Sequence, residues 1–252
     1  MIRVASIDVG TNTVRLLILE KEPDGDLREI AQERAITRLG EGMDTEKRLL
    51  DHRMDGTISV LAEFRKKCQK FEPLTIRAVA TSAVREAGNQ GEFVSRAREE
   101  AGVEIEVIPW EKEAGLMIAG VLWKLPGAGK RILAFDIGGG STEFILARDR
   151  KIVSAAGALL GTVRLTEKFI SHHPVEASEY HELESYLVRE LKSVKEKLSD
   201  FLPEILVGTA GTVTTLAAID GNVYPYDPIK IHGRTLTRAR VEEILENLKR
   251  KS

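Results

Sequence analysis

The sequence predicts an α/β fold made of one βββαβα unit used twice, and three observations carry that prediction. The run Arg131–Leu146 is apolar up to Asp136, turns through Gly138, Gly139 and Gly140, and becomes apolar again. The run Ile2–Ile18 superimposes on it when Asp8 is laid on Asp136: apolar strand, aspartate, apolar residue, glycine, small polar turn, apolar strand. After each hairpin, strand-like and helix-like stretches follow in the same order.

In the first half, Leu27–Arg38 reads as a third strand that ends in the loop Arg38-Leu39-Gly40-Glu41-Gly42. Ile58, Leu61, Ala62, Phe64 and Cys68 recur near helical spacing and predict a helix from about Asp51 to Lys70. Leu74–Ala80 is a short buried strand. Ser82 then reads as an N-cap with Glu86 in the following turn, and helix runs on to Ala101. Val103–Ile108 is another strand, and Pro109-Trp110-Glu111-Lys112-Glu113-Ala114 opens the next helix.

Lys124–Lys130 has the composition of a linker and divides the chain into domains 1–123 and 124–252, with a boundary one helix earlier as the alternative. Within it, Gly127–Lys130 resembles a fragment of a P-loop. The second glycine is too close, no Ser or Thr follows the lysine, and a strand comes next, so that motif is rejected. The second half repeats strands over 131–137, 142–148 and 151–157, a turn at Gly157–Gly161, and helix from Thr162. His172-His173-Pro174 breaks that helix. These histidines and His181 match no common ligand spacing and read as surface loop. Val175–Ser199 alternates Glu and Lys, the pattern of a salt-laced solvent face. Strand Glu204–Val207 leads into Gly208-Thr209-Ala210-Gly211-Thr212, which opens a helix. The irregular stretch Asn222–Gly233 follows, then a final helix, Leu236–Lys249, begun by Thr237. If the second half copies the first, its last strand and helix are missing, which points to a trimmed or unusually short chain.

The turns carry the chemistry. Consecutive amides at Gly138, Gly139 and Gly140, joined by the Ser141 hydroxyl, suit a phosphate, and Gly10, Thr11, Asn12 and Thr13 form the matching turn. Asp136 and Glu143 bring two hard oxygen ligands beside the phosphate, which suits Mg2+. Gly208, Thr209, Gly211 and Thr212 lie at a helix N-terminus, where amides receive phosphate or a nucleoside's polar groups. Arg85 sits just past a strand end, where ligands gather in α/β folds. Glu111 and Glu113 occupy a first helical turn that favours acids anyway, but a carboxylate there also suits polarising a water.

Composition excludes several classes. Lys+Arg 37 against Asp+Glu 39 gives a net charge of −2, so bulk positive charge does not hold a nucleic acid. No apolar stretch approaches a membrane span and the N-terminus carries no signal pattern, so the cytoplasm is the expected location. The single cysteine, Cys68, excludes an internal disulfide and a thiolate zinc cluster, and reads as a packing residue.

Two βββαβα units, each opening with an Asp-x-Gly hairpin, resemble the RNase H-like halves of the two-lobed architecture shared by actin, sugar kinases and the heat-shock chaperone ATPases. That resemblance implies a phosphate-binding cleft between the domains. Within this group the chain resembles the exopolyphosphatase and guanosine pentaphosphate phosphohydrolase family. The resemblance rests on Asp8–Arg15, Arg38–Gly42, Ala80–Ala87, Asp136–Glu143, Gly161–Leu165 and Gly208–Thr212. It implies that Glu113 is the catalytic glutamate. It also implies that Asp136 and Glu143 are the metal-side carboxylates with Asp8 facing them, that the two glycine turns are the phosphate loops, and that Arg85 contacts the anionic chain. Arg15 and Arg38 are added from position alone. Two departures stand out: Lys112 replaces the usual Glu before the base and would lower the base's pKa, and Pro109-Trp110 replaces Ser-Gly. Family members also continue past this C-terminus.

The expected activity is Mg-dependent hydrolysis of a terminal phosphoanhydride, on inorganic polyphosphate or guanosine pentaphosphate. A sugar-kinase-like phosphotransferase and a non-catalytic polyphosphate or alarmone sensor are the alternatives. A homodimer is compatible with the resemblance, although no apolar stripe in the sequence marks an interface.

Overall fold

A computed structural model describes residues 2–72, 74–123, 130–198 and 200–251. Lys124–Gly129, most of the expected linker, and Ser199, the expected end of the long helix, lie outside the described residues. The chain separates into two compact units, Met1–Glu113 and Ala114–Ser252.

Unit 1 is organised on the hairpin of β1 (Ile2–Val9) and β2 (Thr13–Lys21). The cross-strand pairs Ala5–Ile18, Ile7–Leu16 and Val9–Val14 put six apolar side chains on one face, and all six are buried. β3 (Leu27–Ile36), β4 (Thr75–Ala80) and β5 (Ile105–Val107) complete a sheet of order β3-β2-β1-β4-β5, with β4 and β5 parallel to the strands they join. Two helices contribute buried stripes to the same core. α2 (Asp51–Gln69) supplies Met54, Ile58, Leu61, Phe64 and Cys68 at helical spacing, and α4 (Gln90–Ala101) supplies Phe93, Ala97 and Ala101. Burial of Phe93 alone contributes about 2–3 kcal/mol. Two short helices, α1 (Met43–Glu46) and α3 (Ser82–Glu86), lie between these elements. α5 (Trp110–Trp123) runs across the division, so the break falls inside this helix and not after it.

Unit 2 repeats the plan. β6 (Ile132–Ile137), β7 (Thr142–Arg148), β8 (Lys151–Ala158) and β9 (Ile205–Thr209) give the order β8-β7-β6-β9, with β9 parallel to β6. The duplication extends to irregularities: the β2–β3 register shifts at Ile18/Leu19 and the β7–β8 register at Leu146/Ala147, the same offset from Asp8 and Asp136. α6 (Thr162–Phe169), α7 (Ala177–Lys197), α8 (Ala210–Gly221), α9 (Pro228–Ile231) and α10 (Arg238–Lys249) supply the helices. α7 is started by a capping box between Glu176 and Glu179, and α10 by Thr237, whose hydroxyl accepts from the Arg240 amide at 3.2 Å. Among the described residues no strand lies beyond β9, the position β5 takes in unit 1, and Leu206 on β9 is 65% exposed.

Five local expectations change. The helix expected from Ser82 to Ala101 is broken at 87–89, where Ala87 turns extended, and becomes α3 and α4. The third strand stops at Ile36, because Arg38 adopts a left-handed φ of 52° that no strand accommodates. Thr81, not Ser82, is the N-cap of α3, and the Ser82 hydroxyl instead donates to Glu86 Oε1 at 2.6 Å. α1 was not expected from the pattern, being a single turn. The irregular stretch 222–233 contains α9, which Asp227 caps by accepting from the Ile229 amide. No described helix is long and apolar enough to cross a membrane.

Candidate active site

The chemistry of unit 1 gathers at the C-terminal ends of its parallel strands, where α/β sheets bind ligands. Asp8 is the next-to-last residue of β1 and pairs with Arg15 across the hairpin. The turn Gly10–Thr13 closes on itself, with the Gly10 amide donating to the Thr13 carbonyl at 3.1 Å. Burial pushes the Asp8 carboxyl above its ordinary range. Arg15 opposes the shift and the charge of Glu113 reinforces it, so Asp8 and Glu113 lie in one field.

Two backbone bonds bring the later segments to this end. The Thr81 amide donates to the Val9 carbonyl at 3.2 Å, and the Ile108 amide to the Ala80 carbonyl at 3.1 Å. α3 and the start of α5 are thereby anchored beside the turn. Arg85 Nη1 then donates to Glu113 Oε2 at 2.8 Å and to the Ile108 carbonyl at 3.0 Å. Both side chains of this ion pair are about a fifth to a quarter exposed, 24% for Arg85 and 21% for Glu113. Neighbouring residues on a helix point in different directions, and Lys112 pairs with Glu106 at 2.5 Å. The cation that meets Glu113 is therefore Arg85, which corrects the expectation for Lys112.

Arg15 and Arg38 are both exposed, and Arg38 is held at its left-handed φ beside the turn. A non-glycine residue in this region costs on the order of 1 kcal/mol, and such strain concentrates at functional positions.

In unit 2, Asp136 and Glu143 are a directly opposed cross-strand pair, so their carboxylates share one face of the β6–β7 hairpin. Glu143 is buried and accepts from the Ser141 hydroxyl at 2.6 Å. The turn Gly138–Ser141 closes as its counterpart does, the Gly138 amide donating to the Ser141 carbonyl at 3.0 Å. Gly139 and Gly140 lie between these two residues. Thr209 is the N-cap of α8 and makes no side-chain capping bond, which leaves capping of the first amides of α8 to other groups. Gly211 is exposed, and the Thr212 hydroxyl reaches the Ile137 carbonyl at 3.5 Å. Gly208 has a packing reason to be glycine: a Cβ there would lie 2.7 Å from the Phe135 ring and 2.8 Å from Val213.

The donor set bears on a metal. Among the described residues no three His, Cys, Asp or Glu side chains gather as a ligand cluster. The opposed Asp136–Glu143 pair still fits magnesium, which takes one or two carboxylates and fills its remaining positions with water and phosphate oxygens.

Sequence reasoning missed Arg164, whose Nε donates to the Gly140 carbonyl at 3.0 Å and so holds the second turn from behind. Its place three residues after Gly161, at the helix start following the third strand, was the available signal. A cavity of about 540 Å3 lies elsewhere, lined by Tyr224, Tyr226, Asp227 and Lys230 among others, and includes none of the predicted residues.

Duplicated Asp-x-Gly hairpins with matching turns define an α/β protein in which one strand-and-helix unit is used twice. The sequence matches the model of the Ppx/GppA phosphatase family over residues 17–252, and the chain belongs to that family. It is 36% identical to a bifunctional 3-dehydroquinate synthase/phosphatase of Fusobacterium nucleatum over 97% of this chain, but spans only 38% of that protein. It is 32% identical to exopolyphosphatase 2 of Mycobacterium tuberculosis, over 98% of this chain and 79% of that one. The solved Aquifex aeolicus PPX-GPPA enzyme superimposes with a TM-score of 0.81 at 37% identity, covering 99% of this chain and 81% of the other.

Proposed function

We propose that the chain hydrolyses the terminal phosphoanhydride of inorganic polyphosphate, with Glu113 activating the attacking water. The observation that carries this reading is the Arg85–Glu113 pair, set at the strand ends that also bear Asp8 and the turn Gly10–Thr13. Arg85 is a phosphate-binding group by its chemistry, so a phosphate that engages it competes with Glu113 for the guanidinium. The freed carboxylate then takes a proton from water as the water oxygen attacks phosphorus. The bond to the bridging oxygen breaks, and that oxygen leaves with the shortened chain. Turn amides position the phosphoryl group and oppose its developing charge. Asp136 and Glu143 would hold magnesium, which when bound neutralises phosphate oxygens.

The similarity to a protein named exopolyphosphatase 2 supports polyphosphate as substrate. Guanosine pentaphosphate ends in the same bond, and the start of α8 at Thr209–Thr212 suits a nucleoside's polar groups equally well. The test is phosphate release from long-chain polyphosphate and from guanosine pentaphosphate, each with magnesium and again with a chelator. Release that stops on chelation, faster from polyphosphate, is expected. No release from either, with both still bound, would make the chain a sensor.

A further inference from the structure

Each glycine turn is gripped from behind by the segment that follows the third strand of its unit. In unit 1 the Gly40 amide donates to the Thr11 carbonyl at 2.8 Å, and the Thr37 and Arg38 amides both donate to the Asn12 carbonyl at 3.1 Å. In unit 2 the Thr162 amide donates to the Gly138 carbonyl and the Val163 amide to the Gly139 carbonyl, both at 2.9 Å. The Arg164 side chain takes the Gly140 carbonyl at 3.0 Å. A trans peptide points its C=O and N–H in opposite directions. With these carbonyls turned back, the amides of Asn12 and Thr13, and those of Gly139, Gly140 and Ser141, face away from the gripping segment.

The grip requires close approach, and in each unit one glycine permits it. A Cβ on Gly40 would lie 2.3 Å from Thr11 Cγ2, and a Cβ on Gly161 would lie 2.2 Å from the Gly139 carbonyl oxygen. The two positions correspond. Thr11 and Gly139 stand at the same offset from Asp8 and Asp136, and each glycine follows a buried leucine, Leu39 or Leu160. The unit 2 grip is fastened once more where the Thr142 hydroxyl donates to the Leu160 carbonyl at 2.8 Å.

We propose that Gly40 and Gly161 are equivalent positioning residues, each fixing the outward direction of the amides in its own anion turn without touching the anion. This rests on the phosphate-binding reading of the turns. It predicts an asymmetry. The obstacle at Gly40 includes a side-chain methyl that a second substitution removes, whereas the obstacle at Gly161 is backbone, which no side-chain change relieves.

The test measures the affinity of the full chain for imidodiphosphate, which lacks a hydrolysable P–O–P bridge, by calorimetry with magnesium, alongside ligand-free melting curves. Gly40→Ala and Gly161→Ala should each weaken binding roughly tenfold or more, the loss expected when hydrogen bonds to a charged group are misaligned. Adding Thr11→Ser should restore most of the affinity to Gly40→Ala, whereas Gly161→Ala should remain weak. Gly56→Ala, where an added Cβ meets nothing within 4 Å, is the control and should bind as wild type. Wild-type affinity in Gly161→Ala, or lowered melting with unchanged affinity in the folded fraction, would overturn the proposal. If Gly161→Ala fails to fold, the Gly40→Ala and Gly40→Ala/Thr11→Ser pair decides it: no recovery refutes it. Failure of wild type to bind would instead remove the phosphate reading on which the proposal stands.

Discussion

In unit 1 the aspartate near the end of the first strand, Asp8, faces Arg15 across the hairpin; in unit 2 its counterpart, Asp136, faces Glu143. Strand order, turn closure and even the register shift are shared, so the backbone does not account for the difference. One residue at one cross-strand position sets the charge of each site. The unit 1 pair is close to neutral and leaves Arg15 able to meet an anion directly. The unit 2 pair carries two acids on one face, which on the proposed function would take a cation before phosphate approached. The two hairpins thus differ in a side chain while their turns close alike.

The sharpest way to break this comparison is to remove the charge from each pair in turn. Glu143→Gln or Asp136→Asn should lower phosphate release by about 10²-fold, since losing even an outer partner of a metal ligand typically costs 10–100-fold. The magnesium concentration needed for half-maximal rate should rise. Arg15→Gln, which removes one exposed charge, should weaken substrate binding by less than about tenfold, as exposed pairs contribute about 0.2–1 kcal/mol, and should leave the magnesium requirement unchanged. Equal magnesium effects from both units would erase the distinction.

Asp8 offers a second test, on stability. Its folded pKa is raised by burial above the unfolded value of 3.8, so the folded chain holds that proton more tightly. Stability should then fall as pH rises from about 3.8 through the folded value, because in that window the native state binds more protons than the unfolded one. Asp8→Asn should remove this loss and raise the ligand-free melting temperature at neutral pH, while lowering activity. A lowered melting temperature would mean that Arg15 outweighs burial.

The smallest effect lies in unit 2 away from both turns. Glu179 accepts from the Ser171 hydroxyl and amide, which are the largest reasons its carboxyl falls to about 2, and from His172, whose imidazole it holds above the usual range. The His172 contribution is fully present below the unfolded value of 6.5 and disappears as pH rises through the higher folded value. His172→Gln should flatten that slope in pH-dependent melting curves without unfolding α7, because Ser171 keeps its bonds to Glu179. An unchanged slope would place the titration elsewhere.

Much of this was legible because the signals were local. Alternating Ala5, Ile7, Val9 and Val14, Leu16, Ile18 announce a hairpin, and Asp8 and Asp136 fix the repeat in register. The turns were legible as turns because Gly10 and Gly138–Gly140 interrupt apolar runs, and both close on themselves. Ser82 misled because Ser is a favoured N-cap, whereas Thr81, one residue closer to the strand, takes the position without a side-chain bond. Lys112 misled because sequence adjacency to Glu113 is not adjacency on a helix, and the contact that matters, Arg85, lies 28 residues away in the chain. The Leu-Gly grips were invisible because a leucine and a glycine after a strand read as ordinary loop. Their meaning depends on a carbonyl in another segment, which only the folded backbone supplies. The internal alignment sets Leu39-Gly40 beside Leu160-Gly161 only with a seven-residue gap, since 31 residues separate Asp8 from Leu39 and 24 separate Asp136 from Leu160.

The most direct test of the account is Glu113→Gln in phosphate release from long-chain polyphosphate, with binding of the polymer measured on the same sample. Loss of a general base costs on the order of 10²–10⁴ in rate, so release should fall by that factor while affinity is kept. Wild-type release from Glu113→Gln would contradict the assignment of the base, and with it the role given to the Arg85–Glu113 pair.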